Sequence, residues 1–304
     1  IKFISIDYFM DEEMEKAMGK TKTKGYDPKK YSEKKVLDLI KAEHKDYINR
    51  GKIPHYPFAS NYKELGYDSR SRSCYLVMEF YEEGNLFQCK DKLIQKTEAI
   101  INILNVLFEL HSLGYSFDNL NPAHIMLKYN KANEEEFHLV DFTRMCRFGN
   151  PGLDPPSYHG FASQNALVGG IQYPHDDIES LLYIVDFLLS GNVQTFEGLE
   201  DEVTQKEDLL CYSDGIRELI QELREQRQND INELDDVELD ATNSPDFVNS
   251  VYEQFVTKLD KYLSGFKEIK KIAGADLHDS EARVVDAIMQ DMITYPDFQD
   301  MDID

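Results

Sequence analysis

Residues Leu181–Leu189 read Leu-Leu-Tyr-Ile-Val-Asp-Phe-Leu-Leu, and eight of these nine are apolar. A helix that is apolar all round has no face to offer to water, so other elements must enclose it. The run is half the roughly 18–20 residues that a membrane span needs, and no longer apolar run occurs. It therefore predicts the central helix of a helical domain. A chain of 304 residues suggests about two domains or lobes. At 41% hydrophobic and 12% aromatic it can fill a core around such a helix, which excludes wholesale disorder.

The elements before that helix are of a different kind. Ile1–Tyr8 has a strand pattern, and a Lys-rich loop with Gly19, Gly25 and Pro28 follows. Ser32 reads as the N-cap of a helix carrying Val36, Leu37, Ile40 and Tyr47, which Pro54 and Pro57 end. Tyr75–Phe80 is a compact apolar strand closed by the polar turn Tyr81-Glu82-Glu83-Gly84. From Lys96 the chain turns helical: Ile100, Ile103, Leu104, Leu107 and Leu110 share a face, and Gly114 is a stop. Ile125–Tyr129 and Phe137–Phe142 read as a hairpin around a polar turn. Asn229–Asp246, with seven acidic residues and no Lys or Arg, reads as a solvated acidic loop. Ser244-Pro245 opens a helix with Phe247, Val251, Phe255 and Leu259 inward, and Val284–Met292 is a last amphipathic stretch before an acidic tail. Small strands followed by helices around a buried one predict an α+β protein in two lobes.

The formal charge of −24 repels phosphate backbones and anionic lipid, so neither nucleic acid nor membrane is an expected partner. The four cysteines, Cys74, Cys89, Cys146 and Cys211, have no zinc spacing and form no dense disulfide framework, which suits a reducing compartment. Gly19-Lys20-Thr21 invites a phosphate-loop reading, but Met14 stands where the first glycine is needed. His111 and His159 have no partners at triad or zinc spacing and read as structural. The sequence opens on Ile1 rather than Met, so further chain is expected before it.

The segment His111-Ser112-Leu113-Gly114-Tyr115-Ser116-Phe117-Asp118-Asn119-Leu120-Asn121-Pro122-Ala123-His124-Ile125-Met126-Leu127, with Leu139-Val140-Asp141-Phe142-Thr143 after it, resembles a protein-kinase catalytic loop and its metal-binding motif. Farther on, Ala162-Ser163-Gln164-Asn165, Gly169 and Asp176-Asp177-Ile178-Glu179-Ser180-Leu181-Leu182-Tyr183 resemble, without a gap, a signature of the casein kinase 1 group, which includes vaccinia-related kinases. The resemblance implies a bilobal kinase-like fold: a partial small lobe over 1–80, a large lobe over 81–270, and a C-terminal segment over 271–304. It makes Lys2 the nucleotide lysine, Glu33 its ion-pair partner and Met78 the gatekeeper before a hinge at Glu79-Phe80-Tyr81. The glycine-rich loop would lie before residue 1. Phe117, Phe142 and Leu37 would form a packing stack, and Asp177 would tie the central helix to the catalytic-loop backbone.

Measured against that family, the charge-handling positions have changed. Anchored on Pro122, the base Asp becomes Asn119, the phosphate-neutralising Lys becomes Asn121, and the metal-binding Asn becomes His124. Asp141 is kept, with Thr143 in place of the Gly two residues on. An amide takes no proton near pH 7, and a positioned general base is worth about 10²–10⁴ in rate. Imidazole is a poor exchange for a hard oxygen ligand of magnesium. The resemblance with these departures implies a catalytically inactive pseudokinase that serves as a protein-interaction or scaffold module in a larger assembly. No catalytic residue, metal site or cofactor is expected; Lys2, Glu33, Met78 and Asp141 would be a residual ATP–magnesium site. The alternatives are a weak or unconventional Ser/Thr kinase using Asp141 with Asp118 or Glu33, and a nucleotide-binding switch. Expected partners are proteins with basic surfaces, in the cytoplasm and its cytoskeletal assemblies.

Overall fold

A computed structural model describes residues 2–5, 45–53, 56–68, 73–152, 160–191, 194, 196, 199–209, 211–234 and 245–273. The chain forms two compact units that part between Phe80 and Tyr81, with residues 56–58 belonging to the larger one. Glu33, Leu37, the Lys-rich loop, His159 and the stretch Val284–Met292 lie outside the described residues.

In the smaller unit, β3 (Ser73–Met78) lies between β1 (Lys2–Ser5) and β2 (Tyr62–Asp68), antiparallel to both. Leu76, opposite Lys2 on one side and Leu65 on the other, is buried. Gly66 faces Tyr75, and a Cβ there would sit 2.4 Å from the tyrosine ring. Only glycine lets that ring cross the strand, where its hydroxyl donates to Glu64 Oε1 at 2.8 Å. Residues 45–51 are helical (α1). Arg50 Nε donates to the Ser60 carbonyl at 2.9 Å, and the Tyr62 hydroxyl donates to the Asp46 carboxylate at 2.9 Å.

The larger unit is mainly helical: α2 (Leu86–Cys89), α3 (Lys96–His111), α4 (Gln164–Leu167), α5 (Pro174–Ser190), α6 (Leu199–Asp208), α7 (Asp214–Leu234) and α8 (Pro245–Ala273). Two small antiparallel pairs accompany them, β4 (Tyr115–Ser116) with β7 (Cys146–Arg147) and β5 (Ile125–Tyr129) with β6 (Glu135–Leu139). The predicted central helix is α5. Every residue from Pro174 to Leu189 is buried, against α3, α7 and α8. Pro174 starts it, where a missing N–H costs nothing, and Gly191 ends it in the left-handed conformation (φ 78°) with its N–H on the Phe187 carbonyl. Ile100, Ile103, Leu104, Leu107 and Leu110 of α3 and Val251, Phe255 and Leu259 of α8 are buried as their spacing predicts.

Two sequence expectations change. The second strand of the hairpin runs Glu135–Leu139 rather than reaching Phe142, because Asp141 takes a positive φ of 65° and turns the chain away. The acidic stretch from Asn229 begins inside α7, which continues to Leu234, so its first residues are helix and not loop. Among the described residues no helix is long and apolar enough to cross a membrane. The protein is therefore a mixed helix-and-strand chain whose larger unit is built around one enclosed helix.

Candidate functional site

Asp177 organises the loop between α3 and β5. Its position on the first turn of the enclosed helix leaves it 1% exposed, so its charge must be met by donors. Oδ2 accepts from Phe117 N at 2.7 Å, Ser116 Oγ at 2.8 Å and His111 Nε2 at 2.9 Å, and Oδ1 accepts from Asp118 N at 2.9 Å. The carboxylate thus ties the central helix to the loop backbone. His111, fully buried at the end of α3, has its other ring nitrogen 2.8 Å from the Tyr252 hydroxyl of α8. The nitrogen facing a carboxylate carries a proton, and in the neutral imidazole Nδ1 then accepts from the Tyr252 hydroxyl.

From this anchor the loop turns sharply. Asp118 holds a positive φ of 53°. Its side chain is buried on Arg144, whose Nη2 lies 3.0 Å from Oδ2 and whose Nε donates to the Asp118 carbonyl at 2.8 Å. Asp118 is therefore paired with Arg144 through both its side chain and its carbonyl. Asn121 caps a 3₁₀ turn, Pro122–His124, by accepting from Ala123 N at 2.9 Å. That bond fixes which end of the amide is oxygen. Its nitrogen then lies 3.1 Å from the Asn119 carbonyl and 2.9 Å from His124 Nδ1, which is itself 3.0 Å from the same carbonyl.

The retained carboxylate sits beside this cluster. Val140 N donates to the His124 carbonyl at 3.0 Å, which brings the end of β6 against the 3₁₀ turn. Asp141 Oδ1 accepts the Thr143 hydroxyl at 2.5 Å, and Oδ2 lies 3.6 Å from His124 Nε2. Phe142 is buried, its ring edge-on to that of Phe117 at 5.3 Å. Asn119, Asn121, His124, Asp141 and Thr143 thus form one contiguous cluster. Met78 is half-buried at the end of β3, and Lys2 stands in β1 opposite Leu76, both in the other unit.

This donor set does not fit a magnesium–nucleotide site. One oxygen of Asp141 is taken by Thr143, and the next side chain is an imidazole where magnesium prefers oxygen. Among the described residues no three His, Cys, Asp or Glu side chains converge.

The segment following Gly160 is held as firmly as the loop. Gly160 N donates to Glu202 Oε1 at 2.6 Å, and the buried Lys206 ammonium donates to the Ala162 carbonyl while pairing with Glu202 at 2.9 Å. Ser163 N donates to Ser180 Oγ and Gln164 N to Glu179 Oε1, both at 3.0 Å. Burial drives the Glu179 carboxyl up, but Arg224 at 2.8 Å, the Tyr183 hydroxyl and the Gln164 N–H outweigh it and leave it below the usual range. Beside it, burial pushes the Asp176 carboxyl up to about 7 against the pull of Arg227 and Tyr173 N. Sequence reasoning missed Arg144, Arg224, Arg227, Lys206 and Tyr252. Arg144, Arg224, Arg227 and Tyr252 meet partners 26 or more residues away, a distance no local pattern encodes, whereas Lys206 pairs with Glu202 at helical i,i+4 spacing, a signal the sequence did carry.

No protein-family model matches the chain. Over 92 residues it is 32% identical to the serine/threonine-protein kinase PknG of Mycolicibacterium smegmatis (strain ATCC 700084 / mc(2)155). The match covers 27% of this chain and 11% of that protein, so the chain spans only a small part of the curated relative. Part of the chain is thus similar to a protein kinase.

Proposed function

We propose that this chain is a degenerate member of the casein kinase 1 group, with a bilobal kinase-like fold, that works by binding proteins rather than by transferring phosphate. The observation that carries the reading is the self-satisfied cluster at 119–143. Where the kinase pattern needs an ionised base, a cation and an oxygen ligand, Asn119, Asn121 and His124 are neutral amides and an imidazole. Two of these side chains bond within the loop, to each other and to the Asn119 carbonyl. Phosphoryl transfer is almost wholly positioning and charge stabilisation, so losing three such groups together removes nearly all of it. Asp118 is no substitute base, because Arg144 holds it. The parts that build the scaffold, Asp177 and the Phe117–Phe142 contact, are meanwhile intact.

The test is transfer from radiolabelled ATP, with magnesium or manganese, to casein and to the chain itself. No transfer above a no-protein blank is expected. Transfer that disappears in Asp141→Ala would overturn the proposal. A second reading, a nucleotide-binding switch, draws on the Asp141 side chain's being a quarter exposed. It requires a nucleotide-dependent rise in melting temperature with no phosphate transferred, and a flat titration removes it.

A further inference from the structure

Three carboxylates share the first two turns of α5, and the fold serves them unequally. Asp177 accepts four hydrogen bonds. Glu179 accepts from Arg224 Nη2 at 2.8 Å, the Tyr183 hydroxyl at 2.6 Å and Gln164 N at 3.0 Å. Asp176, just as deeply buried, has one short bond, from Tyr173 N to Oδ2 at 2.9 Å. Arg227 Nε stands 3.4 Å from that oxygen and 3.1 Å from Oδ1, which accepts no hydrogen bond. The guanidinium is shared: its Nη2 donates to the Ile171 carbonyl at 2.8 Å, and it lies 5.5 Å from the centre of the Tyr173 ring. Asp176 is thus the worst supplied of the three acids, and burial pushes its carboxyl up to about 7.

Residues 168–173 close over this group. Tyr173 N bonds it, Ile171 shares its arginine, and Gln172 lines one crevice with it. Tyr173 and Gln172 are buried, whereas Val168 is 64% exposed and Ile171 47% exposed, so the outer part of the stretch covers little apolar surface. Segments of that kind open at the low end of a protein's stability range. The closed position also holds a second unmet acceptor. Gln172 Nε2 donates to the Gly170 carbonyl at 2.8 Å, which leaves Oε1 as the enclosed atom without a hydrogen bond. Opening brings water to both oxygens, Gln172 Oε1 and Asp176 Oδ1.

We propose that residues 168–173 form a lid over Asp176 that loosens as this carboxyl ionises. Under the lid the group titrates at about 7, and its ordinary value is 3.8. Ionisation therefore favours the open arrangement increasingly as pH rises between those values, and no further above 7. The charged and titratable neighbours come from every side. On α5 they are His175, held low by burial, Asp177 and Glu179; on α7 they are Arg224, Arg227 and Asp230. From α3 comes His111, bonded to Asp177, and from α8 Tyr252, its hydroxyl held well above the usual range. Asp118 is paired with Arg144, and burial pushes the Cys146 thiol of β7 up to about 12. The lid carries Val168 and Ile171, so its position sets how firmly that apolar pair is presented. The inference lies within the larger unit and is independent of what the chain binds.

The test is amide hydrogen exchange on the full 304-residue chain from pH 5 to 8, corrected for the intrinsic pH dependence and read at the Tyr173 amide. Protection is expected to fall about tenfold between pH 5 and 7 and then to level off. Asp176→Asn keeps an oxygen for Tyr173 N and carries no charge, and is expected to hold the pH 5 protection throughout. Sub-denaturing urea separates the lid from the whole fold: exchange at Tyr173 is expected to ignore it, while exchange at Ile184 inside α5 rises with it. Flat protection at Tyr173 from pH 5 to 7, the same fall in Asp176→Asn, or a urea dependence equal to that of Ile184 would each overturn the proposal. The pH and urea series on the unmutated chain decide it even if the variant does not fold.

Discussion

Asp177 concentrates four donors on one buried carboxylate, and removing it would strand His111, the Ser116 hydroxyl and two backbone N–H groups at once. Asp177→Ala is expected to destabilise the protein by about 3–5 kcal/mol in urea unfolding, because the partners stay buried without an acceptor. Tyr252→Phe removes only the donor to His111 Nδ1 and is expected to cost about 1–2 kcal/mol by the same measurement. A larger loss for Tyr252→Phe than for Asp177→Ala would show that α8 and not α5 anchors the loop. Much of this site was legible from residue types. Asn119, Asn121, His124, Asp141 and Thr143 fall in one sequence motif and are neighbours in the fold. The partners were not legible. Asp118 reads as a spare acid in the sequence, and only the turn at its positive φ brings Arg144 round to it.

Between α5 and α7 one hydrogen bond and two ion pairs form an antiparallel ladder: His175 with Asp230 at 3.0 Å, Asp176 with Arg227 at 3.1 Å and Glu179 with Arg224 at 2.8 Å. Arg224→Met leaves Glu179 charged and enclosed, and is expected to cost about 3–5 kcal/mol; Glu179→Leu with Arg224→Met is expected to recover most of that. The ladder also sets a pH dependence. The Asp176 carboxyl, at about 7 in the fold and 3.8 as its ordinary value, favours the folded state most when protonated. Its contribution is full below about pH 4 and is lost as pH rises through 7. Asp176→Asn is therefore expected to gain on the wild type by roughly 2–4 kcal/mol between pH 4 and 8, read from paired denaturation curves. Taking that difference cancels Glu179 and His175, both held low, whose contributions run the other way and fade as pH falls. The enclosed helix was legible because an all-apolar run has one solution. Helix α7 was not, since its apolar residues are sparse among charges and the acidic run at its end resembles a loop until Asp230 is seen against His175.

Across the whole molecule the formal charge of −24 works against compactness. Raising sodium chloride from 20 to 300 mM is expected to raise the melting temperature by about 2–4 °C, as screening relieves roughly 1 kcal/mol of self-repulsion. A fall would mean that attractive pairs such as the α5–α7 ladder dominate the electrostatics. The mixed helix-and-strand class was legible from the order of patterns, strands early and helices late. The pairing of β1 with β3, some 70 residues apart in sequence, was not, because strand patterns carry no address. Helix α5 packs against α3, which precedes it, and against α7 and α8, which follow it. During translation its greasy surface therefore emerges from the ribosome long before the last of its covers has been made. A nascent polypeptide halted short of α8 is left with that surface open, so chaperone engagement should be heaviest while residues 191 to 263 are being synthesised.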